Sequence, residues 1–141
     1  MSNRIILTYD VSSKEFSLAG EASVDLKGQL KLMGIPTAVI RRATIALYEA
    51  EINLAIHSYG GRITVTISPD LITMNVKDTG PGIADIDLAM SEGFSTASEE
   101  VRKLGFGAGM GLPNMKKYTD SFRISSALGV GTEIEMTVAI F

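Results

Sequence analysis

Three short stretches of this 141-residue chain carry reactive residue types at informative spacings. In "YEAEINLAIH", Glu49 and Asn53 are four residues apart, so on a helix they share a face, and His57 continues that line. A carboxylate beside an amide oxygen can hold a hard cation such as Mg²⁺, or the carboxylate can act as a base. Glu51, about 200° around the helix from Glu49, should point elsewhere. The plainer readings are a solvated helix face and, for His57, a hydrogen-bonded structural histidine. In "VKDTGPGI" an alternating strand ends on Asp78, and Gly80 and Gly82 follow. A carboxylate fixed at a strand end can accept a hydrogen bond from an exocyclic amine, and glycines let a flat ring approach the backbone. An Asp-Thr-Gly turn that merely closes a strand is the alternative.

The third stretch is "LGFGAGMGLPNM", with glycine at 105, 107, 109 and 111 and Pro113 suited to the first turn of a helix. Glycines that lead into a helix expose backbone N–H groups to an anion such as phosphate. The spacing is neither GxxxxGK[ST] nor a GxGxxG directly after a strand, which removes the P-loop and dinucleotide readings. A flexible loop is the rival explanation. Between the second and third stretches, "SEGFSTASEEVRKLGFG" is polar and flanked by glycine, as a lid would be. Its only cations are Arg102 and Lys103, which could equally be ordinary surface charges.

The elements that must position these residues follow from periodicity. "NRIILTYDV" reads as a first strand, with a turn at "SSKE" and a partner strand around residues 16–19. "ASVDLKGQLKLMGI" is an amphipathic helix with Val24, Leu26, Leu30 and Met33 on one side, ended by Gly34. Pro36 opens the longest helical segment, whose apolar stripe is Ile40, Ala43, Leu47, Ala50, Leu54 and Ile56, with Gly60 and Gly61 as its stop. "RITVTIS" and "LITMNVKD" alternate at period 2 across "SPD" and predict a hairpin. Short helices are expected in "IADIDLAM", "SEEVRK" and "LPNMKKYTDSF". A last strand pair, "FRISSA" and "GTEIEMTVAIF", meets across "LGVG". The sum is an α+β two-layer sandwich: a mixed, mostly antiparallel sheet of about five strands with about three helices on one face. One domain over residues 1–141 is expected at this length.

Composition narrows the function classes. Apolar residues make up 45% and charged residues 21%, an ordinary globular balance. With no cysteine there is no disulfide framework or thiolate metal site, and one histidine argues against a histidine-rich one. A net charge of −3 argues against a nucleic-acid partner. No apolar run reaches the length of a membrane span or of a secretory signal, so a cytoplasmic protein with no membrane partner is the expectation.

The order of the motifs is more specific than any one of them. Glu-x-x-x-Asn on a helix, Asp-x-Gly-x-Gly after a strand, a lid, Gly-x-Gly-x-Gly into a helix and Gly-Thr in a last strand resemble the histidine-kinase-like ATPase superfamily with the Bergerat fold. The likeness covers most of the chain, from about Pro36 to Phe141. The short length and "DTGPGIADIDLAMSEGFST" most resemble the small anti-sigma-factor serine/threonine kinases of the stress-signalling switch type. The resemblance implies that Glu49 is the general base and that Asn53 coordinates Mg²⁺ bridging the phosphates of ATP. It implies that Asp78 accepts a hydrogen bond from the adenine amine and that Gly80 and Gly82 let the base settle near the backbone. Gly107, Gly109, Gly111 and Leu112 would contribute backbone near the phosphates, and Thr132 would support the adenine pocket. The implied activity is ATP·Mg²⁺-dependent phosphorylation of a small STAS-type regulatory protein, with a sigma factor and a second copy of the chain as further partners. The chain departs from many kinases of this group at "FGAG", where they place an arginine before the last glycines. A nucleotide-gated binding module without phosphoryl transfer is the alternative. A sensor histidine kinase's ATP domain is a third reading, but the chain has no room for its phosphoacceptor helix pair.

Overall fold

The computed structural model describes residues 4–12, 20–57, 60–80, 82–83, 86, 90 and 111–141, without the side chains of residues 56 and 57. Its elements are β1 (Ile5–Ser12), α1 (Glu21–Leu32), α2 (Thr37–His57), β2 (Gly60–Ile67), β3 (Leu71–Asp78), α3 (Gly111–Lys117), β4 (Ser121–Ala127) and β5 (Gly131–Ala139). The five strands form one sheet in the order β1-β2-β3-β5-β4. Every pairing is antiparallel, so the sheet expected to be mixed has no parallel pair among the described strands. The partner strand expected around 16–19, the "SEEVRK" helix and most of "IADIDLAM" lie outside the described residues.

Period-2 alternation gives the sheet a dry face and a wet one. Three inward rows cross it in register: Ile63, Val76 and Ile134; Val65, Met74 and Met136; Ile67, Ile72 and Val138. All nine side chains are buried, and each contributes roughly 1.5–3 kcal/mol by leaving water. On the opposite face the same strands carry Thr64, Asn75 and Glu135, with Arg123 Nη2 donating to Glu135 Oε1 at 2.6 Å.

The helices cover the dry face. Helix α2 supplies Ile40, Ala43, Ala46, Leu47, Ala50 and Leu54, and α1 supplies Ala22, Leu26 and Leu30. Val24, expected on the buried side of α1, is 71% exposed, and Ser23 takes the inward place instead. At the end of α1, Gly34 adopts φ +73° while Ile35 N–H reaches Leu30 O and Gly34 N–H reaches Lys31 O, a Schellman stop. Helix α3 packs on α2 through Leu112 and Met115. Among the described residues no helix is long and apolar enough to cross a membrane.

Candidate functional site

The residues singled out by spacing fall into two groups at the sheet end where β3 finishes and β5 starts, and along the facing side of α2. Asp78 is the last residue of β3, paired with Gly61 on β2, while the pairing with β5 ends at Lys77 and Glu133. Gly61 lies opposite Asp78, and a Cβ at Gly61 would come within 2.5 Å of Lys77 O and 3.0 Å of Leu54 Cδ2. Glycine at 61 therefore lets β2 pass between the end of β3 and helix α2. Gly131 performs the same service on the other side. Its φ is +145°, and a Cβ there would overlap the Asp78 carbonyl oxygen and come 3.0 Å from its Oδ1.

With both neighbours that close, the Asp78 side chain is fixed. Its Oδ1 accepts the Thr132 backbone N–H at 2.8 Å. Among the described residues Oδ2 has no hydrogen-bond partner. Partial burial pushes the Asp78 carboxyl above its ordinary value, and the Thr132 bond pulls back against that. Thr132 is itself buried, and its hydroxyl lies 2.9 Å from Ser126 Oγ. Ser126 Oγ in turn accepts the Ile83 N–H at 2.7 Å. This polar chain ties the residues after Asp78 to β4. Gly82, at φ +77°, presses on the same strand end: a Cβ would meet Ala127 O at 2.5 Å. Gly82 thus has a packing reason beyond any ring it could admit. Gly80 is buried beside it.

The second group lies between α2 and α3. Glu49 is on the α3 side of α2, where Asn114 Nδ2 donates to its Oε1 at 3.4 Å. A Cβ on Gly111 would stand 3.4 Å from Glu49 Oε2, so the carboxylate looks at the start of α3. Desolvation raises the Glu49 pKa above its ordinary value, and the Asn114 hydrogen bond opposes the rise. A half-buried carboxylate that holds its proton more readily than a surface one is suited to exchanging protons with a bound group. Asn53 follows one turn later on α2, partly exposed. Leu112 is buried in the core, so only its backbone can face a ligand. Gly107, Gly109, Arg102 and Lys103 lie outside the described residues, as does the side chain of His57.

Three positions in contact with the candidate residues or lying on their helix were not singled out by spacing alone. Asn114 and Ser126 touch the candidate residues but carry no pattern of their own. Glu51 is 2% exposed, and its carboxylate accepts the backbone N–H groups of Gly20, Ala22 and Ser23 at 2.9, 3.1 and 2.8 Å. Its helical phase gave the direction, away from Glu49, but not the destination. A glutamate two residues from a candidate base, inside an otherwise apolar stripe, was the available signal.

Comparison with known proteins shows the family. Residues 38–140 match the family described as histidine kinase-, DNA gyrase B-, and HSP90-like ATPase. The chain is 35% identical over 109 residues to serine/threonine-protein kinase RsbT of Bacillus subtilis (strain 168), covering 74% of this chain and 76% of that protein. It is 39% identical over 97 residues to the anti-sigma F factor of Thermoanaerobacter sp. (strain X514), covering 65% of this chain and 64% of that protein. Against the anti-sigma F factor of Bacillus subtilis (strain 168) the identity is 28% over 144 residues, covering 97% of this chain and 92% of that protein. The chain belongs to the histidine kinase-, DNA gyrase B- and HSP90-like ATPase family, and within it resembles the anti-sigma kinases.

Proposed function

We propose that the chain is an ATP- and Mg²⁺-dependent serine/threonine protein kinase of the anti-sigma regulatory type, acting on a small STAS-like regulatory partner. The observation that carries this reading is the pair of carboxylates with separate surroundings: Asp78 fixed by Thr132 at the strand end, and Glu49 half-buried against Gly111 and Asn114. The donor set fits the nucleotide. Asp78 offers an oxygen to the adenine amine, Gly80 and Gly82 keep its surroundings low, and Thr132 holds it from behind. Asn53 would hold Mg²⁺ through its amide oxygen, a hard donor suited to a hard cation. When bound, Mg²⁺ neutralises phosphate charge during transfer. Glu49 takes the proton of the partner's Ser or Thr hydroxyl as that oxygen bonds to the γ-phosphorus and the bond to the ADP oxygen breaks. Gly107, Gly109, Gly111 and Leu112 supply backbone beside the phosphates.

A second reading is a nucleotide-gated module that holds its partner without transferring phosphate. It is favoured by "FGAG", which offers no cation where related kinases place an arginine. A sigma factor would then be among the partners held. Self-association is also part of the proposal: β1 is the terminal strand of the described sheet and leaves Ile6 62% exposed. A monomeric mass at micromolar concentration would remove it.

The test is nucleotide titration by thermal shift, with and without Mg²⁺, on wild type, Asp78→Asn and Asn53→Ala. Stabilisation by Mg²⁺ with ATP, weakened in Asp78→Asn and lost in Asn53→Ala, is expected. No response to ATP or ADP overturns both readings. Radiolabel transfer to a STAS-type protein, abolished in Glu49→Ala while partner binding persists, then separates kinase from module.

A further inference from the structure

Helix α2 buries large and small apolar residues together, with Ile40, Leu47 and Leu54 in the core beside several alanines. Ala43, Ala46 and Ala50 are wholly buried, and Ala55 is 1% exposed. Apolar burial is non-directional, so it selects the buried face of α2 without by itself fixing the helix's rotation finely. Rotation matters here, because Glu49 and Asn53 share one side of the helix. Hydrogen bonds are directional, and α2 has a set of them on its other side. The Glu51 carboxylate accepts three N–H groups from residues 20–23, the free donors of the first turn of α1. Gly20 helps by adopting φ +103°, with the Tyr48 ring packed 3.3 Å from where a Cβ would sit. Helix α1 is in turn tied to the sheet, because Tyr9 Oη on β1 donates to Asp25 Oδ2 at 2.7 Å.

We propose that Glu51 is a positioning residue, a rotational lock that holds Glu49 and Asn53 toward the phosphate end of the nucleotide. The chain of contacts runs from β1 through Tyr9 and Asp25 to α1, and from the first turn of α1 through Glu51 to α2. Glu51 lies about 200° around the helix from both Glu49 and Asn53, so a bond that pins its side chain turns the other two the opposite way. The carboxylate is satisfied by amides and the positive end of the α1 dipole. This inference rests on the nucleotide reading above and adds a residue that the reading does not require.

The lock predicts a split between the two ends of the ligand. Adenosine is read by Asp78 on β3, which Glu51 does not touch, whereas ATP with Mg²⁺ also needs Asn53 and Glu49 on α2. Affinities for adenosine and for ATP with Mg²⁺ are to be measured by calorimetry on wild type, Glu51→Gln and Glu51→Asp, with melting curves for each. Glu51→Gln removes the charge and turns an amide donor toward N–H donors. It should weaken ATP with Mg²⁺ by about tenfold, while adenosine affinity stays within about twofold. Glu51→Asp, shorter by one methylene, should fall between, and it carries the same comparison if Glu51→Gln does not fold. Equal losses for both ligands, no loss for either, or unfolding of both variants would make Glu51 a folding residue only and overturn the lock. A wild type that binds neither ligand would instead be the failure of the nucleotide reading, and the lock would fall with it.

Discussion

Glu49 and Glu51 stand two residues apart on α2 with their carboxylates in opposite settings, one half-buried beside Asn114 and the other sealed onto three amides of α1. One helix thus uses one residue type twice. The sealed carboxylate has all the donors an anion needs, and the other has been left short of them. That shortage is what an acid–base group requires and what a stable fold avoids.

Glu49→Gln should therefore be more stable than wild type at neutral and alkaline pH. The folded-state pKa of Glu49 is raised above its ordinary 4.5 by desolvation. Below the unfolded value the carboxyl is protonated in both states and costs nothing. As pH rises through the folded value, the group ionises at a site that disfavours the charge, and that contribution to stability is lost. A glutamine cannot ionise, so Glu49→Gln should melt higher than wild type at pH 8, with the gap closing toward pH 4. Under the kinase reading the same variant loses transfer by at least about 100-fold. Equal melting temperatures at pH 8 would show that Glu49 is better solvated than its surroundings indicate.

Gly129 in the β4–β5 turn and Gly131 at the start of β5 should separate strain from crowding. Gly129 has φ +76° and open space around it, whereas Gly131 has φ +145° and the Asp78 backbone against it. Gly129→Ala should cost about 1 kcal/mol for backbone conformation alone. Gly131→Ala adds a clash that cannot relax without moving the end of β3, so a loss of about 1–3 kcal/mol beyond that is expected in urea unfolding. It should also displace the Thr132 N–H from Asp78, and under the nucleotide reading lower the affinity for adenine.

Much of this arrangement was legible in the sequence. The alternation of "RITVTIS" and "LITMNVKD" placed the hairpin and left Asp78 at its end, because a period of 2 fixes both face and register. The four-residue spacing put Glu49 and Asn53 on one side of α2. What escaped was contact between distant segments. Nothing in "EAS" announces that its amides will bind a glutamate 28 residues later. Val24 looked like a core residue because its apolarity was weighed without the first-turn geometry that turns Ser23 inward. Gly82 was read for a ligand's approach, and the structure shows that the end of β4 occupies that gap as well.

The core should respond where the inward rows cross. Met136 pairs with Met74 and Phe122 and is fully buried, so Met136→Ala should cost about 2–5 kcal/mol. Leu128 and Val130, 68% and 70% exposed at the β4–β5 turn, should each tolerate alanine within about 0.5 kcal/mol. Chemical unfolding of the three variants checks both statements.

Asn114 offers the most direct control over Glu49. Its amide donates to Glu49 Oε1, and a hydrogen bond to a carboxylate favours the ionised form, so it works against the desolvation that raises the pKa. Asn114→Ala removes the donor and leaves the burial, and the Glu49 pKa should move further up. Asn114→Asp places a second carboxylate at the same spot and should move it higher still. The position is read by following the Glu49 carboxyl carbon through a pH titration by NMR, with Glu49→Gln to assign the signal. Under the kinase reading the acid limb of the transfer rate should move to higher pH by the same amount in each variant, because the base must be ionised to accept the hydroxyl proton. A limb that stays fixed while the NMR titration moves would take the base role away from Glu49 and leave it as a binding residue.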